Sequence, residues 1–190
     1  VASEQLRLPV HIDDKLYLGN AACISDINYL KDLGITGVLN VAGPQALANK
    51  AILALKQNDI EYHSIAAKDE HDYPFLTEHW DKALKLIKSM TNTPNSKLVV
   101  HCQAGYNRSG LVVTSYFMIS TRTPILEAVR YLRKQRGNSA LRNPGYQEQL
   151  VALARRSDLL GNKPGTSGSI LHDANPPKSE PNWWITSKKS

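Results

Sequence analysis

One fifteen-residue stretch of the sequence, VVHCQAGYNRSGLVV (99–113), places a cysteine beside residue types that bind oxyanions. Cys102 ends a run of apolar residues, a short polar loop containing Gly105 follows, and Arg108 closes the loop. The backbone N–H groups of such a loop can converge on one anion, because glycine permits the tight curvature that this requires. The arginine adds a planar pair of donors that matches two phosphate oxygens. The spacing therefore predicts a cradle for a tetrahedral oxyanion with a sulfur atom at its base.

The cysteine in this cradle must be ionised to act as a nucleophile. A free thiol has a pKa near 8.5, so its thiolate is the minor form at neutral pH. Favouring a thiolate by a factor of about a thousand takes roughly 4 kcal/mol, whereas a helix N-terminus alone contributes about 0.3–2 kcal/mol. We therefore expect the loop N–H groups, Arg108 and the Ser109 hydroxyl to stabilise a Cys102 thiolate together. That thiolate would attack phosphorus in line, and the same donors would stabilise charge on the phosphoryl oxygens.

The elements that would position this loop alternate between strands and helices. Apolar runs predict strands at Ile12–Leu18, broken by a turn at Asp13–Lys15, and at 35–43, 60–67 and 97–102. Helical spacing predicts helices at Ser25–Leu33 with Ser25 as N-cap, at 45–58, Phe75–Met90 and Ser109–Ser120, from about Pro124, and at Pro144–Leu160. This alternation predicts an α/β fold in which helices flank a central, mostly parallel sheet. Ligands of parallel sheets bind beyond the carboxyl ends of the strands, which is where Cys102 falls.

The composition indicates one globular domain with additional segments at both ends. The chain has 190 residues, of which 42% are hydrophobic and 21% charged, as is typical of globular domains. We expect the domain to cover residues 10–160, after an N-terminal extension at 1–9. A flexible tail rich in Gly, Pro and Ser is expected at 161–190, with Trp183 and Trp184 as its apolar exceptions.

Cysteine content, apolar runs and charge give expectations about location and partners. Cys23 and Cys102 are too few for a disulfide framework, so a reducing setting, cytoplasmic or also nuclear, is expected. No apolar run approaches the roughly 20 residues of a membrane span, so we expect no membrane partner. The net charge of +6 suggests anionic partners, but the basic residues are spread and no stable nucleic-acid binding is expected. We also expect a monomer.

Three segments resemble cysteine-dependent protein phosphatases. The segment HCQAGYNRSG matches the His-Cys-five-residues-Arg-Ser/Thr signature of these enzymes. KLYLGNAACISDINYLKDLGITGVLNVAG and RNPGYQEQL resemble the opening and closing segments of the small, atypical dual-specificity phosphatases. The resemblance covers about residues 10–158. It implies the protein tyrosine phosphatase fold and hydrolysis of phosphotyrosine and phosphoserine or phosphothreonine monoesters in phosphoproteins, through a phosphocysteine intermediate.

The resemblance also implies roles for individual residues. Cys102 would be the nucleophile, Arg108 would bind the phosphoryl oxygens and stabilise the transition state, and Ser109 would help the thiolate to leave. His101 would support the loop by hydrogen bonding. The family pattern implies no metal and no cofactor. The phosphate-binding loop would consist of Gln103, Ala104, Gly105, Tyr106, Asn107 and Arg108.

A general acid is needed because an alkoxide is a poor leaving group. In the resembling domains an aspartate on a separate loop supplies the proton and then activates water. Asp69 follows the predicted third strand at the matching place and is the first choice, with Asp72 as the alternative.

Two other functions and one surface remain open from the sequence. The loop has some likeness to that of RNA 5′-triphosphatases in the same superfamily, and a phosphate-binding module without turnover is a further alternative. The uncharged loop residues disfavour a polyphosphorylated lipid as substrate. The predicted helix EAVRYLRKQR would expose a basic face, which is either a solvated surface or a docking patch for acidic sequences. This basic face comprises Arg130, Arg133, Lys134 and Arg136.

Asn143 and Tyr146 are expected to anchor a loop beneath the site.

Overall fold

The computed structural model describes residues 8–161 and contains one five-stranded sheet in that range. The order across the sheet is β1-β2-β5-β3-β4, with β1 antiparallel to β2 and every other neighbouring pair parallel. The prediction of a central, mostly parallel sheet is therefore confirmed. Nearly all of the predicted extension at 1–9 and of the predicted tail, including Trp183 and Trp184, lies outside the described residues. The strands are β1 (Val10–Asp13), β2 (Leu16–Asn20), β3 (Gly37–Asn40), β4 (Glu61–Ser64) and β5 (Leu98–Cys102).

Helices cover both faces of this sheet. Alternate residues of β5 point to opposite faces, so Leu98 and Val100 pack in one core and Val99 in the other. The larger core lies under α4 to α7, and the smaller core lies under α1 to α3. No helix within residues 8–161 combines the length and the apolarity that crossing a membrane requires. The helices are α1 (Ala21–Ile24), α2 (Ile27–Asp32), α3 (Asn49–Gln57), α4 (Phe75–Met90), α5 (Arg108–Thr121), α6 (Ile125–Arg136) and α7 (Pro144–Arg156).

The predicted cap at Ser25 is wrong. A short helix, α1, precedes it, and the Asn20 side chain caps that helix by accepting from the Cys23 N–H at 2.9 Å. Ser25 ends α1, and the Asp26 side chain caps α2 by accepting from the Tyr29 N–H at 3.1 Å. Asparagine and aspartate are both strong N-caps, and two of them within seven residues divide the segment into two helices.

Two further helix boundaries differ from the sequence prediction. The stretch 45–58 begins with a separate 3-10 turn at Pro44–Ala46, so α3 starts later than expected. The last helix ends at Arg156 because the following residues turn back towards α6, where the Leu159 carbonyl accepts from the Ile125 N–H at 2.8 Å.

Candidate active site

Cys102 is the last residue of β5, and α5 begins six residues later, at Arg108. Its side chain is buried, and its Sγ accepts two hydrogen bonds. The Gly105 N–H donates at 3.3 Å and the Ser109 hydroxyl donates at 3.2 Å. Both donors stabilise negative charge on sulfur, so this geometry suits a thiolate at the base of the loop.

Gly105 occupies a position in the loop that a larger residue would disturb. Its φ is +70°, a left-handed conformation that favours glycine. A Cβ atom added there would lie 2.6 Å from the Gly19 carbonyl oxygen at the end of β2. The neighbouring strand therefore supports the loop directly and leaves no space for a side chain.

Donors outside the loop hold its carbonyl groups. The Gln103 carbonyl accepts from the Ala21 N–H at 3.2 Å, and the Tyr106 carbonyl accepts from the Leu141 N–H at 3.0 Å. Because the N–H and C=O of a trans peptide point in opposite directions, carbonyls turned outwards leave the adjoining N–H groups turned inwards. The surroundings thus set the conformation of an oxyanion-binding loop.

Arg108 reaches from the first turn of α5 across the mouth of the loop. Its Nη1 donates to the Ala67 carbonyl at 3.1 Å, and its Nε lies 3.8 Å from Asp69 Oδ2. The Nε atom is buried and has no hydrogen-bond partner among the described residues. An unpaired donor in a buried site is costly, and a phosphoryl oxygen bound in the loop is of the right chemistry to accept from it.

Asp69 is brought to the edge of the loop by side chains from two other segments. Its Oδ2 accepts from Asn107 Nδ2 at 3.3 Å, and its Oδ1 accepts from Asn143 Nδ2 at 3.1 Å. The Tyr146 hydroxyl donates to the Lys68 carbonyl just before the aspartate. The predicted anchoring role of Asn143 and Tyr146 thus falls on the segment that carries Asp69, which fixes the carboxylate beside Arg108.

Asp72 occupies a different environment. It is exposed, and within residues 8–161 it makes no hydrogen bond or ion pair to the loop. The structure therefore brings Asp69, and not the alternative Asp72, next to the cysteine loop.

His101 lies on the other face of β5 and is fully buried. Its Nδ1 donates to the Cys102 carbonyl at 3.2 Å, which places the ring proton on that nitrogen. Burial lowers the pKa of His101 to about 4, so the ring is neutral at physiological pH. This neutral ring supports the backbone at the cysteine and carries no charge into the site.

The sequence prediction for the basic face of α6 is wrong in two positions. Arg130 and Lys134 are exposed, as expected. Arg133, in contrast, donates to the Ala140 carbonyl at 3.2 Å, and Arg136 donates to the carbonyls of the cysteine loop. No local pattern could have indicated this contact of Arg136, because its partners lie 31 and 32 residues away in sequence.

Gln103 and Ala104, which the sequence placed in the phosphate-binding loop, are exposed at its rim. Tyr106 and Asn107 are partly buried. The side chain of Asn107 has a role that the sequence did not suggest, because its Oδ1 also accepts from the Asn143 N–H at 3.1 Å. The described part of the chain contains no group of three or more His, Cys, Asp or Glu side chains that could hold a metal ion.

Comparison with known proteins identifies the family to which this site belongs. The family model of the dual specificity phosphatase catalytic domain matches residues 16–156. The chain belongs to this family. It is a cysteine-dependent protein phosphatase, as the sequence resemblance implied.

Curated relatives of the phosphatase agree with this assignment. Mouse dual specificity protein phosphatase 13B is 30% identical over 149 residues, which are 77% of this chain and 74% of that protein. Bovine dual specificity protein phosphatase 26 is 31% identical over 147 residues, which are 74% of this chain but 64% of that protein.

Solved structures agree with the predicted fold of the phosphatase. Human DUSP28 matches with a TM-score of 0.64 at 21% identity, over 79% of this chain and 95% of that chain. DUSP15 matches with a TM-score of 0.62 at 25% identity, over 80% of this chain and 96% of that chain. The predicted fold, with helices around a central sheet, is therefore confirmed.

Proposed function

We propose that the phosphatase hydrolyses phosphotyrosine and phosphoserine or phosphothreonine monoesters in proteins, with Cys102 as nucleophile and Asp69 as general acid. The observation that carries the proposal is the pair of donors on Cys102 Sγ, at 3.3 and 3.2 Å, in a loop closed by Arg108, whose buried Nε has no hydrogen-bond partner among the described residues. One set of donors thus serves a thiolate in the free enzyme and a phosphoryl group in the complex. Such a preorganised arrangement requires little rearrangement at the moment of reaction.

In the first step the Cys102 thiolate attacks phosphorus in line with the leaving oxygen. A sulfur–phosphorus bond forms while the bond from phosphorus to the ester oxygen breaks. The Asp69 carboxyl gives its proton to that oxygen, so the alcohol leaves neutral. The Arg108 guanidinium and the loop N–H groups bind the equatorial oxygens, where charge is spread in the transition state.

In the second step a water molecule hydrolyses the phosphocysteine. The Asp69 carboxylate left by the first step accepts a proton from this water as its oxygen attacks phosphorus. The sulfur–phosphorus bond breaks, and the electron pair returns to Cys102. The Ser109 hydroxyl, 3.2 Å from Sγ, stabilises the departing thiolate. Inorganic phosphate is released and Asp69 is again protonated.

The rim of the site supports the proposed breadth of substrate. Gln103 and Ala104 are exposed and uncharged, so the loop adds no cation for a second phosphate on the same substrate. The arginine and the loop amides bind the phosphoryl group itself, which is common to all three phosphoamino acids. Because these contacts do not involve the side chain that carries the phosphate, we expect the identity of that side chain to matter less.

The test of this proposal uses p-nitrophenyl phosphate and an aryl phosphate with a much poorer leaving group. We expect Cys102→Ser to abolish turnover while orthovanadate still binds. Asp69→Asn should slow the substrate with the poor leaving group by about a hundredfold or more and the other substrate far less, since general acids typically contribute about 10²–10⁴. Equal losses on both substrates would contradict the role of Asp69, and an inactive wild-type protein would favour a binding module without turnover.

The substrate class is tested with a panel of phosphopeptides and RNA carrying a 5′-triphosphate. Phosphate release from phosphotyrosine and phosphothreonine peptides at comparable kcat/KM is the expected result. Preferential release from the RNA would assign the loop to the 5′-triphosphatase reaction instead.

A further inference from the structure

Arg136, at the end of α6, contacts three consecutive residues of the cysteine loop. Its Nε donates to the Gly105 carbonyl at 2.9 Å, and its Nη2 donates to the Ala104 carbonyl at 3.0 Å. Its Cζ lies 3.8 Å from the centre of the Tyr106 ring, in a cation–π contact. One side chain thus holds two successive peptide groups and stacks on the residue that follows them.

We propose that Arg136 is a positioning residue that aims two N–H groups of the loop at the reacting atoms; this rests on the proposed function of the loop. The peptide between Ala104 and Gly105 shows the relation directly. Its carbonyl accepts from Arg136 on one side, and its N–H donates to Cys102 Sγ on the other. Because the peptide is planar and trans, fixing the carbonyl fixes the N–H.

The next peptide, between Gly105 and Tyr106, is held in the same way. Its carbonyl accepts from Arg136 Nε, so the Tyr106 N–H is directed away from the arginine. Arg136 therefore controls two neighbouring donors of the oxyanion cradle through its two parallel N–H groups. A lysine, with a compact ammonium group on a flexible stem, cannot reproduce this two-point contact.

The charge of Arg136 adds to this geometric effect. A carbonyl that accepts from a cation is polarised, and the N–H of the same peptide becomes a stronger donor. The guanidinium thus acts on the sulfur and on the phosphoryl oxygens through the backbone without touching either. The stacked Tyr106 ring keeps the guanidinium plane in place, and the Leu141 N–H holds the Tyr106 carbonyl.

The experiment compares the full chain with Arg136→Gln, Arg136→Lys and the control Arg130→Gln. Arg130 is exposed on the same helix, so the control removes the same charge away from the loop. The measurements are the inhibition constant of orthovanadate, kcat and KM on p-nitrophenyl phosphate, and the melting temperature. We expect Arg136→Gln to weaken vanadate inhibition at least tenfold and to lower kcat/KM at least as much. Arg136→Lys should recover less than half of this loss on a logarithmic scale, and Arg130→Gln should stay within twofold of wild type.

The inference is overturned if Arg136→Gln matches Arg130→Gln both in its inhibition by orthovanadate and in its turnover of p-nitrophenyl phosphate. It is also overturned if the melting temperature of Arg136→Gln falls while vanadate binding by the folded protein is unchanged. If Arg136→Gln does not fold, Arg136→Lys and Tyr106→Leu carry the test. Each should then weaken vanadate inhibition at least threefold, and wild-type inhibition in both would refute the proposal. Failure of the proposed function is separate, because it appears as an inactive wild-type protein.

Discussion

Replacing Asn143 by serine separates the positioning of Asp69 from the stability of α7. Asn143 caps α7, where its Oδ1 accepts from the Tyr146 N–H, and its Nδ2 donates to Asp69 Oδ1 at 3.1 Å and to the Glu70 carbonyl at 3.2 Å. Serine is an equally good N-cap, so the helix should keep its cap. Its shorter side chain has no amide group to donate to Asp69, and the acid segment loses this attachment.

The size of the effect follows from the lost hydrogen bonds. The Asp69 that acts as general acid carries its proton, so the two lost bonds, to Asp69 and to the Glu70 carbonyl, join neutral groups and contribute about 0.5–1.5 kcal/mol each. The Asp69 side chain is 31% exposed, so water replaces part of the lost interaction. We therefore take about 1–1.4 kcal/mol, which corresponds to a roughly five- to tenfold smaller fraction of molecules with Asp69 in place.

The assay measures kcat/KM of Asn143→Ser on aryl phosphates with good and poor leaving groups. The five- to tenfold loss should appear with the poor leaving group and shrink towards none with the good one, because only the former depends on the proton of Asp69. Asp72→Asn is the matched control and should behave like wild type on both. Equal losses on both substrates, or a leaving-group effect in Asp72→Asn, would show that the reasoning about the acid is wrong.

Three further predictions concern the loop and the strand that carries it. Iodoacetamide at pH 7 should modify Cys102 and leave Cys23 unmodified, because burial raises the pKa of Cys23 to about 11. Peptide mass spectrometry measures the labelling of both cysteines, and equal labelling would contradict the prediction. Gly105→Ala should lower the free energy of unfolding by at least about 1–2 kcal/mol and remove activity, because alanine disfavours φ +70° and its Cβ would meet the Gly19 carbonyl. Urea unfolding and turnover measure the two effects, and a variant that is both stable and active refutes the prediction. The wild-type free energy of unfolding should fall as the pH drops from 6.5 to about 4, because His101 in the unfolded chain binds a proton that the buried ring does not. The expected loss is about 1.4 kcal/mol per pH unit and about 3 kcal/mol in all. An unchanged pH slope in His101→Gln would contradict this prediction.

The cysteine loop could be predicted from sequence because its determinants are local. Cys102, Gly105 and Arg108 lie within seven residues, and their strand–loop–helix setting follows from one apolar run and one helical pattern. Other features depend on contacts between distant segments. Asp69 is held by side chains 38 and 74 residues away, so its sequence position named a candidate but not its attachment.

The errors in the sequence prediction have two physical origins. Arg136 belongs to a helix face that is polar by pattern, and only the packing of α6 against the loop reveals which carbonyls it contacts. At Ser25 the error was local, because Asn20 and Asp26 each cap a helix of their own and so divide the predicted helix into two.

The hairpin formed by β1 and β2 sets a lower limit on the size of an active fragment. None of the proposed reacting groups precedes Asp69, yet the Gly19 carbonyl borders Gly105 and the Ala21 N–H holds the Gln103 carbonyl. A fragment that begins after Ala21 would lack β1 and β2, so β5 would become an exposed edge strand and the cysteine loop would lose the contacts of Gly19 and Ala21. The first twelve residues of the domain thus support a loop that lies about eighty residues further along the chain, and we expect their removal to abolish its activity.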